Sequence, residues 1–203
     1  MVGVLKVEKN RQVIVIDDAL SLEHNEHFRH RHFCESEVEW GRWITEGNQP
    51  DYIDGLIKIA SKYMDLEKVA GYEWWTQKNT YTQKGWHIDY DEGLMGVERI
   101  LKTPMFSMIY YPLVAHIQGG EFTLEDMKIP AKTNRLIILS ANEVHTIGPY
   151  NIDNATRWSF LINPWTYKPD VTIPSFHIEG QDPNDTGPSI VRERLGLDKS
   201  MVK

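Results

Sequence analysis

The sequence predicts a mainly β domain, arranged as a sandwich or jelly roll and covered by helices from its N-terminal third. Three observations carry that expectation. Between residues 71 and 163, seven or eight short runs rich in β-branched and aromatic residues follow one another, separated by Gly, Pro and Asn turns. Two amphipathic patterns precede them and need a sheet to cover. The 203 residues, 41% hydrophobic and 11% aromatic, are enough for one core.

The elements are expected in this order. Val13-Ile14-Val15-Ile16 is an apolar β-branched run that ends at Asp17-Asp18, a buried strand and a turn. Residues 20–33 hold His24, His27, His30 and His32 among Glu, Asn and Arg. Their spacing follows a helical face, but no carboxylate or cysteine falls at a ligand interval, so a solvated polar helix or loop is the reading. Ser36-Glu37-Val38-Glu39 has the form of a capping box; it predicts a helix with Trp40, Trp43 and Ile44 on one face, ending at Gly47. A second helix is expected from Pro50 to Met64, where Ile53, Leu56, Ile57, Ala60 and Met64 recur at helical spacing.

At Gly71 the period changes to that of strands. Runs are expected at Gly71–Thr82, Gly85–Tyr90, Met105–Tyr111, Glu121–Leu124, Met127–Ile129, Leu136–Leu139, Val144–Ile147 and Arg157–Ile162. Trp74 and Trp75 should point to opposite faces, and Trp86 and Ile88 towards the covering helices. Residues 91–104 read as a polar, Gly-containing connection, with Asp91-Glu92-Gly93 a solvent-facing exit. The expected organisation is one domain over 1–163 and an extension over 164–203. Four prolines (Pro169, Pro174, Pro183, Pro188) punctuate that extension, and Ser189–Leu195 reads as a helical turn or two. The extension is expected to pack on the domain or on a partner subunit, which gives a homodimer one route.

Net charge is −7 and no basic block is present, so no nucleic-acid partner is expected. No apolar run reaches the roughly 20 residues that a membrane helix needs, so no membrane partner is expected. The N-terminus has no signal-peptide pattern and the lone Cys34 allows no internal disulfide, which together suit a cytoplasmic location.

The chemistry begins at Gly85-Trp86-His87-Ile88-Asp89-Tyr90-Asp91-Glu92. In an extended segment His87 and Asp89 share a face, supplying two-thirds of a 2-His-1-carboxylate metal site. The third ligand has three later candidates, His116, His145 and His177; the β pattern favours His145, on a strand that can return beside the first pair. On the next strand Arg157 and Ser159 share a face. A guanidinium fork beside a hydroxyl suits a carboxylate, and an inward cation requires an anionic partner such as a dicarboxylate. Tyr111 can add a phenol hydrogen bond from across the barrel.

The ordered set His87-x-Asp89, His145 and Arg157-x-Ser159 resembles the Fe(II)/2-oxoglutarate-dependent dioxygenases. Ile109-Tyr110-Tyr111, Gly119-Gly120-Glu121-Phe122 and Asn134-Arg135-Leu136 extend the resemblance to the prolyl-4-hydroxylase-like branch, over about residues 71–163. The resemblance implies a double-stranded β-helix with helices outside its larger sheet. It implies Fe(II) held by the catalytic residues His87, Asp89 and His145. Arg157, helped by Ser159 and Tyr111, would bind the far carboxylate of the cosubstrate 2-oxoglutarate, and O2 would take the last metal position. The implied activity is hydroxylation of a protein side chain (prolyl-type) or a small molecule, with release of succinate and CO2; Asp89 makes hydroxylation rather than halogenation the default. Pro112-Leu113 departs from the Leu-Asn common in prolyl hydroxylases, which bears on substrate more than on cofactor. A non-catalytic cupin-like module binding metal or an anion is the alternative, and a cupin-type enzyme that does not use 2-oxoglutarate a third.

Overall fold

The computed structural model of the chain describes residues 2–3, 6–7, 11–31, 42–78, 85–151 and 154–170, with Pro188, Val191 and Leu195. The strands are β1 (Val2–Gly3), β2 (Lys6–Val7), β3 (Arg11–Ile16), β4 (Arg42–Thr45), β5 (Gly71–Lys78), β6 (Phe106–Ala115), β7 (Phe122–Leu124), β8 (Lys128–Ile129), β9 (Arg135–Ser140), β10 (His145–Ile147) and β11 (Thr156–Trp165). The helices are α1 (Leu22–Arg29), α2 (Asp51–Ala60) and α3 (Glu92–Glu98). Among the described residues, one eight-stranded sheet runs β1-β3-β9-β6-β11-β5-β4, with β2 also on β3; β10-β7-β8 form a second sheet. The ladders are antiparallel. This is the expected mainly β jelly roll, a double-stranded β-helix. No helix among the described residues is long and apolar enough to cross a membrane.

Strand period two divides the large sheet into two faces. Ile14, Ile16, Tyr110, Leu136, Ile138 and Phe160 point outward, where Phe28 of α1 and the Ile53/Leu56/Ile57/Ala60 stripe of α2 cover them. Phe28 meets Tyr110 and Phe160 edge-on, with centroids 5.1 and 4.8 Å away. Val13, Val15, Ile109, Tyr111, Ile137 and Leu139 point inward, against Phe122, Leu124 and Ile129 of the small sheet. Asn134, at φ 60°, ties the approach to α1 to this frame. Its side chain accepts from Leu20 N at 3.0 Å and donates to Leu20 O at 2.8 Å. Tyr110 Oη donates into the space between Asn25 Oδ1 and Asn134 Oδ1, at 2.7 and 2.9 Å.

Several local expectations change. The helix expected over 36–47 is not formed at its C-terminal end: residues 32–41, with Ser36, Glu39 and Trp40, lie outside the described set, and Arg42–Thr45 is a strand paired with β5. Trp43 and Ile44 are good β formers, and an open edge of β5 outweighs the capping pattern upstream. Gly71 allows this pairing, since a Cβ there would lie 2.4 Å from Trp43 Cζ2 and 2.5 Å from Ile44 O. Residues 91–104 are not an irregular connection throughout. Asp91 caps α3, accepting from Leu94 N at 2.9 Å, and is buried rather than solvent-facing. The 20–33 segment is the short helix α1, capped by Ser21; His32 falls outside the described residues. Strand β5 is described to Lys78, and the rest of the expected run to Thr82 lies outside the described residues.

Strand β6 runs on through Pro112 to Ala115. Trp158 pairs with Leu113 and Phe160 with Tyr110, so two residues of β6 face Ser159 alone. Pro112 has no N–H to give the ladder, and this bulge absorbs it. The extra residue also shifts parity, so that Tyr111 and Val114 both reach the inner side.

Candidate functional site

His87 and His145 are joined by two backbone hydrogen bonds, His87 N to His145 O at 2.9 Å and His145 N to His87 O at 2.8 Å. This is a single bridge; residues 85–90 do not form the continuous strand that the alternation suggested. Trp86 and Ile88 pack with Val144, Val191 and Leu195, not with the covering helices. The bridge is enough to place two imidazoles side by side, with ring centroids 4.3 Å apart. Phe122 backs the His145 ring at 5.1 Å.

Both rings are oriented in the same way. His87 Nδ1 lies 2.8 Å from Gly85 O, and His145 Nδ1 lies 2.8 Å from Glu143 O. A carbonyl can only accept, so each Nδ1 carries a proton and each Nε2 offers a lone pair. Asp89 is set by Ser107, whose Oγ donates to Asp89 Oδ2 at 2.8 Å. Ligand atoms of His87, Asp89 and His145 all lie within 4.8 Å of one another, close enough for small side-chain rotations to bring them onto one ion. Two oriented imidazole nitrogens and one carboxylate, each held by a second hydrogen bond, are the donor set of a divalent first-row metal. His116 is exposed in the loop after β6, at φ 54°; His177 lies outside the described residues.

Arg157, Ser159 and Tyr111 come together on the inner face of β6 and β11. Arg157 is 2% exposed and Ser159 1%. Arg157 Nη2 donates to Tyr111 Oη at 3.1 Å, and the guanidinium carbon lies 5.1 Å from the centroid of that ring. Opposite Ser159 on β5 is Gln77, 4% exposed, which the sequence reading did not single out. Neither Ser159 Oγ nor Gln77 Nε2 has a hydrogen-bond partner among the described residues. Buried polar atoms are rarely left so, and here they sit in one row with a guanidinium and a phenol. The row can donate to an anion.

The inner face of β6, β11 and β5 is therefore layered. Tyr111, Ser159 and Gln77 form one polar row beside Arg157. The next row, Ile109, Leu161 and Trp75, is carbon-rich and in direct cross-strand register. One step further along, Asn163 pairs with Glu73, and the same register carried on from Ile162–Met108 brings in Ser107, the residue that holds Asp89. Successive rows on one strand face are about 6.6 Å apart. The His87/Asp89/His145 cluster thus sits at one end of the layered face and the guanidinium at the other. Strand parity could have shown Glu73, Gln77 and Asn163 to be inward, but no local motif marks them.

No protein-family model and no curated protein matches the sequence. Solved structures do. A viral collagen prolyl hydroxylase, vCPH from Paramecium Bursaria Chlorella virus-1, solved as a 2OG complex, matches with a TM-score of 0.55 and 14% identity, over 77% of this chain and 96% of that one. An oxidoreductase of the 2OG-Fe(II) oxygenase family from Burkholderia pseudomallei matches with 0.52 and 10%, over 81% and 89%. A Pseudomonas putida prolyl-4-hydroxylase matches with 0.51 and 14%, over 75% and 91%. At these identities the likeness is one of fold: the chain has the jelly roll of 2OG-Fe(II) oxygenases, including prolyl hydroxylases.

Proposed function

We propose that the chain is an Fe(II)- and 2-oxoglutarate-dependent dioxygenase that hydroxylates a protein side chain, of the prolyl type or another, or a small molecule. The observation that carries this is the His87/Asp89/His145 cluster with both Nδ1 atoms committed to backbone carbonyls. The shared fold and the anion-ready row around Arg157 support it.

In this reading His87 Nε2, His145 Nε2 and an Asp89 oxygen hold ferrous iron. Arg157 binds the far carboxylate of 2-oxoglutarate, with Tyr111 and Ser159 as hydrogen-bond partners. Gln77 Nε2 adds a further donor to the same row. The bound iron supplies activation of O2: one oxygen atom goes into succinate as 2-oxoglutarate loses CO2, and the other into a substrate C–H bond, giving C–OH. The chain's own residues fix and screen the site. Ser107 holds the Asp89 carboxylate, Phe122 limits the His145 ring, and Ile109, Leu161 and Trp75 keep the middle of the face apolar, where water would compete.

The test is O2-dependent conversion of 2-oxoglutarate to succinate by the purified chain with added Fe(II). Succinate should form slowly without a primary substrate, and Asp89→Ala should abolish it. Tight binding of metal and 2-oxoglutarate with no succinate under any condition would leave a cupin-like binding module as the better account.

A further inference from the structure

The row that holds Asp89 has a second feature that neither the metal nor the cosubstrate uses. Glu73 sits inward on β5 and Asn163, its cross-strand partner, inward on β11. Trp165 Nε1 donates to Glu73 Oε2 at 3.1 Å. Burial pushes the Glu73 carboxyl up to about 7; Asp89, Glu92 and Asp91 push it the same way, and only the Trp165 hydrogen bond opposes them. The charged groups that act most on Glu73 among the described residues, Asp89, Glu92 and Asp91, are thus anions. Beside it, Asn163 is 3% exposed and its Oδ1 has no hydrogen-bond partner among the described residues. The row therefore offers a carboxyl group, which a bound cation would hold ionised, and an amide oxygen as acceptors, with one indole donor on Glu73.

The wall continues with a further aromatic ring and a carboxylate, and beside them runs a cleft whose lining includes Lys102. Tyr167 meets Trp165 edge-on at 5.7 Å and donates to Asp91 Oδ2 at 2.8 Å. Thr166, between these two aromatics in sequence, lines a cleft of about 430 Å3 with Leu101, Lys102, Thr103 and Asn142. Asp91 N donates to Lys102 O, so the cleft adjoins this wall. Buried acceptors, a carboxylate and aromatic rings are what hold a cation that carries N–H donors. Ferrous iron at His87, Asp89 and His145 does not fill that role: its charge, with that of Arg157, is already matched by Asp89 and a dianionic cosubstrate, and Glu73 and Asn163 are not among its holders.

We infer that Glu73 and Asn163 form the primary-substrate subsite and that the substrate presents an ammonium or guanidinium group to them, as a basic amino-acid side chain does. This rests on the function proposed above and narrows it. The apolar row below keeps that cation apart from Arg157, so the two ends of one sheet face select opposite charges: an anionic cosubstrate at Arg157, a cationic substrate beside the metal.

The experiment measures binding, by calorimetry or tryptophan fluorescence, to protein loaded anaerobically with Fe(II) and 2-oxoglutarate. The probes are free L-arginine and L-lysine, their N-acetyl amides, and the neutral isosteres citrulline and norleucine in the same forms. At least one cationic probe should bind about tenfold or more tighter than its isostere, the scale of a charge-assisted hydrogen bond. Glu73→Gln should remove that preference, and Asn163→Ala, which keeps Glu73, should reduce it. Free and amide forms separate a small-molecule substrate from a protein side chain. Equal binding of cationic and neutral probes to the wild type would overturn the inference without any variant. So would no binding of any cationic probe, or an unchanged preference in Glu73→Gln. If Fe(II) and 2-oxoglutarate bind as proposed and the cations do not, only this inference falls. If the cations bind and no succinate is ever made, the subsite stands and the proposed activity falls.

Discussion

The two faces of the large sheet are made by the same strands and differ in almost everything else. The outer face, around Phe28, Tyr110, Ile138 and Phe160, is mostly carbon against carbon; its buried polar atoms include the tips of aromatic rings, Tyr72, Trp74 and Tyr110, and the Tyr110 hydroxyl is matched by Asn25 and Asn134. The inner face of β6, β11 and β5 buries Ser107, Tyr111, Arg157, Ser159 and Asn163, and Ser159 Oγ, Gln77 Nε2 and Asn163 Oδ1 have no partner among the described residues. Burying polar atoms without partners costs stability. An apolar outer face can carry that cost, which leads to the expectation that stability and ligand binding are separable by face on a single sheet.

Substitutions on each face should show that separation. The largest expected effect is on the outer side: Ile138→Ala opens a cavity under α2 and should lower stability by about 2–5 kcal/mol in denaturant unfolding, with Fe(II) affinity unchanged in the folded fraction. Loss of metal affinity there would break the comparison. Next comes Arg157→Met on the inner face, which keeps an unbranched side chain of similar reach. It should weaken 2-oxoglutarate binding about 100-fold by calorimetry, leave iron bound, and cost little or no stability; equal loss of both ligands would make Arg157 structural. Ser107→Ala should weaken Fe(II) binding about tenfold through Asp89 alone, with 2-oxoglutarate binding changed only as far as iron occupancy falls.

The smallest effect lies at the rim, away from both faces. Arg135 donates to both Asp17 oxygens at 2.7 and 3.0 Å, and Lys132 adds a third contact at 2.9 Å. The Arg135 hydrogen bonds lead in holding the Asp17 carboxyl down to about 2, below its usual 3.8. A depressed acid contributes stability above the unfolded value and loses it as pH falls towards 2. Asp17→Asn should therefore cost about 1 kcal/mol at pH 7, and the gap to wild type should close between about pH 4 and pH 2. A gap that stays constant with pH would mean that shape, not charge, holds this corner.

How much of this could be read from the chain follows the same division. The outer face was legible because Ile53, Leu56, Ile57 and Ala60 keep a helical period and Ile14, Tyr110 and Ile138 a strand period. His87, Asp89, His145, Arg157, Ser159 and Tyr111 were legible as types in an order, and the fold brings them to one side. What was not legible depends on partners far along the chain. Arg42–Thr45 became a strand because β5 offered an edge. Asp91 became a buried cap because Leu94 and Tyr167 reach it. Ile88 turned to Val191, a residue in the C-terminal extension. Glu73, Gln77 and Asn163 carry no motif at all; only the register of β5 on β11 shows them facing the site.

The proposed function has one sheet face hold a metal at one end and a dicarboxylate at the other. Its most direct test is an anaerobic titration of the purified chain with Fe(II) and 2-oxoglutarate, followed by visible absorption. The account predicts a metal-to-ligand charge-transfer band that saturates at one equivalent of iron per chain, needs both additions, is absent in His145→Ala, and requires far more 2-oxoglutarate in Arg157→Met. No band in the wild type, or a band of full strength in His145→Ala, would contradict it.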